Sequence, residues 1–189
     1  MATADIAPVL GAPTAPVGAV EPELLLPEVL FEVYGTPAGQ GRVSFLGKGR
    51  GARHSNETAL KPWRAAIVQA AQKATARHTY IDWNSTCAKC QVAEPDHALY
   101  IGVPVAVDLT VTVAKPKSAP KRRRTWPITR SSTDIDHHAR ACLDALSKAG
   151  ILHDDSMVVE LTARKVYPGE HRMALTEPGA VIWIRRSDS

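Results

Sequence analysis

The stretch that decides the fold is Thr133–Glu160, T-D-I-D-H-H-A-R-A-C-L-D-A-L-S-K-A-G-I-L-H-D-D-S-M-V-V-E. Ile135, Ala139, Cys142, Leu143 and Leu146 recur in it at helical spacing, which predicts an amphipathic helix. Ser132 and Thr133 are candidate N-caps, and Gly150 can take the left-handed conformation that ends a helix. The apolar residues after Ser156 predict a strand over 157–167. Two acidic pairs flank the helix, Asp134 with Asp136 at its start and Asp154 with Asp155 in the turn behind it. A helix of about 14 residues spans ~20 Å. The pairs therefore meet only if the following turn doubles back or a neighbouring strand presents one of them.

Working outward, Val29–Tyr34 reads as a strand, and a last strand is predicted over 180–186. Val105, Val107, Leu109, Val111 and Val113 alternate with Ala106, Asp108, Thr110 and Thr112, predicting a strand over 103–113 with one buried and one polar face. Trp63, Ala66, Ile67, Ala70, Ala71 and Ala74 mark a second amphipathic helix, with Pro62 in its first turn and Arg77 on its polar face. Gly35–Ser55 has no regular period and reads as a basic loop. The order β-α-β-α-β-β predicts an α/β (α+β) fold, with helices packed on a small mixed sheet. Residues 1–28, rich in Ala and Pro, form a flexible arm on this reading, and 29–189 form one domain with an insertion at about 78–102.

The net charge of +4 hides an asymmetry. Of 19 acids, four (Asp5, Glu21, Glu23, Glu28) fall in the first 30 residues, which hold no base; the rest of the chain carries 15 acids against 23 bases. The bases cluster. Arg42, Lys48, Arg50 and Arg53 lie in the loop before the first helix. Lys115, Lys117, Lys121, Arg122, Arg123, Arg124 and Arg130 share a segment without an acid and with three prolines. Such runs suit a phosphate backbone, because each neutralised phosphate releases a counterion; charge alone does not separate this from a well-solvated surface. Three cysteines leave no complete disulfide framework and fit a reducing compartment. No apolar run approaches the ~20 residues that cross a bilayer, and no base precedes Arg42, so a cytoplasmic protein is the expectation.

The acids carry the chemistry. A D-x-D step at a helix start puts both carboxylates on one side, where they can hold a hard cation such as magnesium. Arg140, four residues after Asp136, can offer a cation to a phosphate on the same face. The competing reading is a capping box, Ser131 with Asp134 or Thr133 with Asp136, in which an acid only stabilises the helix. Cys87-x-x-Cys90, with His78 and His97 at irregular spacing, favours unliganded thiols over zinc. Trp63, Trp83, Trp126 and Trp183 all suit core or strand positions, although Trp126 sits inside the basic segment, where it could instead stack on an unpaired base. Three functions stay open: a metal-dependent nuclease, a DNA-binding module in which the acids are caps, and an interaction protein built on the cysteine insertion.

The run D-I-D-H-H-A-R-A-C-L-D-A-L, followed by H-D-D-S-M-V, resembles the signature of the RusA family of Holliday junction resolvases: D-x-D-N, a basic residue four further on, D-A-L, then D-D and a hydrophobic strand. Y-G-T-P-A-G-Q-G-R and K-P-W-R are similar to phage-borne members, and the resemblance spans about 29–186. It implies a homodimer that cuts four-way DNA junctions with magnesium, manganese being the substitute, in a bacterial or phage-infected cell. Asp134, Asp136 and Asp155 would be the metal-binding catalytic acids and Asp154 a supporting ligand. Two positions depart from the pattern. The family's catalytic lysine falls on Arg140, which keeps the charge but does not readily release a proton, and the Asn after the second Asp is His137.

Overall fold

The computed structural model describes residues 28–41, 43–45, 52–75, 99–100, 102–120, 123–129 and 132–187, with only the backbone at 43–45 and 52–54. Strands β1 (Val29–Tyr34), β2 (Val43–Phe45) and β3 (Ala52–His54) precede helix α1 (Glu57–Ala74). Then come β4 (Val105–Thr112), α2 (Ile135–Lys148), a 3₁₀ turn at Asp155–Met157, β5 (Val158–Val166) and β6 (Gly179–Arg186). The main sheet has the order β1-β6-β4-β5, and β2 pairs with β3 alone. β4 runs antiparallel to β6 and parallel to β5, with Val107 opposite Leu161 and Thr112 opposite Val166. The sheet is mixed, as the element order predicted.

The core lies between the sheet and the two helices. Val29, Phe31 and Val33 alternate inward from β1, clustering with Trp63, Ile67 and Ala71 of α1 and Cys142, Ala145 and Leu146 of α2. Burying the Val, Leu, Ile and Phe side chains among them contributes about 1.5–3 kcal/mol each. Arg64 pairs with Asp144 and donates to Gln40 at 3.0 Å, tying α1 to α2 and to the loop after β1.

Several expectations need correction. The Gly35–Ser55 stretch is not wholly irregular: β2 and β3 form a hairpin, each too short for a period of two to register. α1 starts at Glu57, so Pro62 lies inside it and removes a single hydrogen bond. α1 ends at Ala74 with Thr75 as its C-cap, and Arg77 lies outside the described residues. β4 is buried on both faces rather than one, because the Arg164 side chain donates to Thr110 Oγ1 (3.0 Å) and the backbone of Leu175 donates to Thr112 Oγ1 (3.0 Å). Of the stretch read as an insertion, residues 99, 100 and 102 are described. Tyr100 is fully buried, pairs with Leu152 and donates its hydroxyl to the Ile184 carbonyl at 3.3 Å. Trp83, His78, Cys87, Cys90 and His97 lie outside the described residues.

Candidate active site

The loop after β1 and the start of α2 lock together before any acid is placed. Gln40 N–H donates to the His137 carbonyl at 2.9 Å. Asn56, the residue before α1, uses its amide to hold this loop instead of capping its own helix, donating to the Gly39 carbonyl and accepting from Gly41 N–H at 2.9 Å. A Cβ on Gly39 would stand 2.4 Å from Thr133 Cγ2 and 2.8 Å from His137 Cβ, so only glycine permits this approach.

Thr133 has φ +56°, a left-handed conformation that costs a β-branched residue on the order of 1–3 kcal/mol. Lys165, near the end of β5, fixes it by donating to the Thr133 carbonyl (2.5 Å) and to Ser132 Oγ (2.9 Å). The Ser132 hydroxyl is thereby used elsewhere, Thr133 is held out of the extended conformation an N-cap takes, and the N-cap of α2 is Asp134. Asp134 makes no side-chain cap hydrogen bond, so neither carboxylate is spent as the capping-box reading required. Asp136 follows in the first turn. Ligand atoms of Asp134, Asp136 and His137 all lie within 4.8 Å of one another, and Asp136 Oδ2 is 3.8 Å from His137 Nε2.

Lys165 is the functional candidate that periodicity did not reveal. Burial pushes its ammonium below the usual lysine range, against the opposing pull of Asp134. His138 is buried behind the cluster with Nε2 at 3.3 Å from the Ser132 carbonyl, and desolvation holds it below the usual histidine range. Arg140 is exposed and has no acidic partner among the described residues. Cys142 is buried, its thiol pushed up to about 12 by desolvation, and is a core residue.

One chain does not bring the other acidic pair to this cluster. Asp154 and Asp155 precede β5, whereas the cluster sits at the end of β5 where Lys165 reaches Thr133. Asp154 caps the 3₁₀ turn, accepting from Ser156 N–H at 2.9 Å, and that bonding lowers its carboxyl below the usual range. Asp155 is exposed. Of the basic residues, Lys117, Arg123 and Arg124 are exposed on the segment leading to α2; Arg53 falls in β3. Arg42, Lys48, Arg50, Lys121, Arg122 and Arg130 lie outside the described residues.

Two carboxylates and an imidazole beside a lysine, at a helix N-terminus in a chain with surplus base, make a site suited to the phosphodiester of a nucleic acid. The family model described as Endodeoxyribonuclease RusA matches residues 35–176, most of the chain. The chain belongs to this family, and membership implies endodeoxyribonuclease activity. No curated protein matches the sequence. No helix among the described residues is long and apolar enough to cross a membrane.

Proposed function

We propose that the protein is a divalent-metal-dependent endodeoxyribonuclease that resolves four-way junctions as a homodimer, by paired nicks. The observation that carries this reading is the gathering of Asp134, Asp136 and His137 within 4.8 Å, with the Asp134 carboxylate not used as a cap. The donor set fits magnesium through its carboxylates, and manganese where the imidazole joins them. A cation held there polarises a non-bridging phosphate oxygen and lowers the pKa of an attacking water.

The chain's own residues supply the rest. Lys165 holds Thr133 and brings positive charge beside Asp134. Arg140 offers a guanidinium that can clamp a phosphate through two hydrogen bonds. Lys117, Arg123 and Arg124 face solvent where a DNA backbone would pass, with Arg42, Lys48, Arg50, Arg53, Lys121, Arg122 and Arg130 as further contacts on the basic runs. Asp155, supported by Asp154, joins Asp134 and Asp136 from a second chain, because a single chain holds the two groups at opposite ends of β5. A two-fold dimer then presents two complete sites to a junction of near two-fold symmetry.

The test is cleavage of a labelled four-way junction beside linear duplex, with and without magnesium, by wild type and Asp136→Asn. Paired nicks that require magnesium and vanish in the variant, with junction binding kept, are the expected result. Binding without nicks in magnesium or manganese would make the protein a DNA-binding scaffold.

A further inference from the structure

The segment between β4 and α2 carries a feature that phosphodiester hydrolysis does not use. Trp126 is 54% exposed and Ile128 88% exposed. They do not hang on a slack loop. Thr125 N–H donates to Glu170 Oε2 at 3.0 Å, and Glu170 is itself paired with Lys115, at 2.5 Å. Pro127 is buried, and its carbonyl accepts from Ser132 Oγ at 2.7 Å. The backbone is thus fastened on both sides of Trp126, and Ile128 N–H donates back to the Trp126 carbonyl at 2.9 Å, so the chain turns tightly at the buried Pro127 and leaves Trp126 and Ile128 outside. Exposing two large apolar side chains on a fastened backbone forfeits their burial, which a ligand that covers them restores.

The surroundings say which ligand. The Arg124 guanidinium lies 4.2 Å from the indole centroid, so one face of the ring is already stacked while much of its surface stays open. Lys117 and Arg123 are exposed on the same acid-free segment. An acidic or apolar protein surface would satisfy either the cations or the side-chain pair; an unstacked nucleobase on its phosphodiester strand satisfies both, since every base has a π-face. The Ser132 hydroxyl that holds Pro127 also accepts from Lys165 Nζ at 2.9 Å, and Lys165 in turn holds Thr133, next to Asp134. The apolar pair is therefore rigidly coupled to the acid cluster.

We propose that Trp126 and Ile128 form a stacking wedge that takes up a base unpaired at the branch point and so selects branched over linear DNA. This rests on the junction-cleaving reading above, and deepens it by assigning the element that recognises the branch.

The experiment places 2-aminopurine either at the branch point or mid-arm of a four-way junction, and titrates in full-length Asp136→Asn protein with Trp126 intact or changed to Ala or Phe. With Trp126 present, the branch-point probe is expected to change its emission on binding while the mid-arm probe does not. Trp126→Ala should abolish that change and weaken junction binding roughly 5- to 150-fold, the range measured for loss of one base stack, leaving linear-duplex binding unaltered. Trp126→Phe should restore part of both. Equal loss of junction and duplex binding, or a branch-point signal that survives Trp126→Ala, overturns the wedge while leaving the nuclease reading intact. Failure of the Trp126-intact protein to bind any junction overturns both, and is told apart by that control alone.

Discussion

Mixing Asp136→Asn chains with Asp155→Asn chains distinguishes an acid set completed by one chain from one completed by two. Oxygen ligands sit 2.0–2.6 Å from magnesium or calcium, so any two ligand atoms of one ion lie within about 5 Å. Asp134 and Asp136 begin α2, a helix of 14 residues, and at 1.5 Å per residue its far end is ~20 Å away. The strand gives a second ruler. Lys165 touches Thr133, and Asp155 lies before Val158; the seven steps from Val158 to Lys165 span ~23 Å at ~3.3 Å each. Both separations exceed the ligand limit about fourfold, so a shared ion needs Asp155 from a second chain. Each variant alone should lose activity a hundredfold or more, the several kcal/mol a metal contributes to the transition state. In a mixed dimer one site collects both lesions and the other collects none. Random pairing of equal amounts makes half the dimers mixed, each with one intact site, so about a quarter of wild-type nicking capacity returns. Co-expression with two affinity tags isolates the mixed dimer, and a denaturing gel counts nicks. Single nicks without paired resolution are the expected pattern. A verified mixed dimer that nicks no better than either parent refutes the shared-site reasoning.

Two further outcomes follow from the site and the core. Lys165→Met keeps the aliphatic stem but removes two hydrogen bonds and the charge beside Asp134; kcat for junction cleavage should fall about tenfold or more with junction Kd little changed, and an equal loss in binding would make Lys165 a DNA contact instead. At high pH the core should weaken through Cys142 and Tyr100, whose pKa values are both pushed up to about 12, from 9.0 and 10.0 respectively, chiefly by burial. A raised folded pKa gives stability that is complete below the unfolded value and is lost as pH climbs through the folded one, so the window runs from pH 9 to 12. For the thiol alone the loss by pH 10.5 is about 2 kcal/mol, at 1.36 kcal/mol per pH unit. Thermal melts at pH 8 and 10.5 should show a smaller drop in Cys142→Ala than in wild type, and equal drops would mean the thiol ionises freely in the folded chain.

Local pattern carried the main elements because each is long enough to repeat. α2 shows its apolar stripe through four turns, and Gly150 takes φ +70° where the stripe stops. What local pattern misjudged depends on contacts made elsewhere. Ser132 and Thr133 are good capping residues by type, yet the Ser132 hydroxyl is bound to Pro127 and Lys165, and Thr133 is held at φ +56°. Lys165 is one of two adjacent bases on β5, and nothing in its neighbours distinguishes it from Arg164, which turns the other way to Asp108 and Thr110. Trp126 reads as core by composition and is exposed because its neighbours Thr125 and Pro127 take the inward positions.

The separation of the acidic pairs has a topological cause that the sequence alone leaves undecided. Parallel strands joined by a helix oblige that helix to run back along the sheet, so its start and end lie over opposite ends of the strands. Here β4 and β5 are parallel, with Val105 beside Val158 and Thr112 beside Val166, and α2 is the return path between them. A D-x-D at the start of such a helix belongs to the end of the sheet where the first strand finishes. A D-D after the helix belongs to the end where the second strand begins. Had β4 and β5 been antiparallel, the same residues could have closed on one ion in a single chain. The motif fixes which side chains are acidic; the direction of β5 sets the two acidic pairs at opposite ends of one chain's sheet. Dimerisation therefore follows as a requirement of the proposed chemistry as well as a match to the symmetry of the substrate.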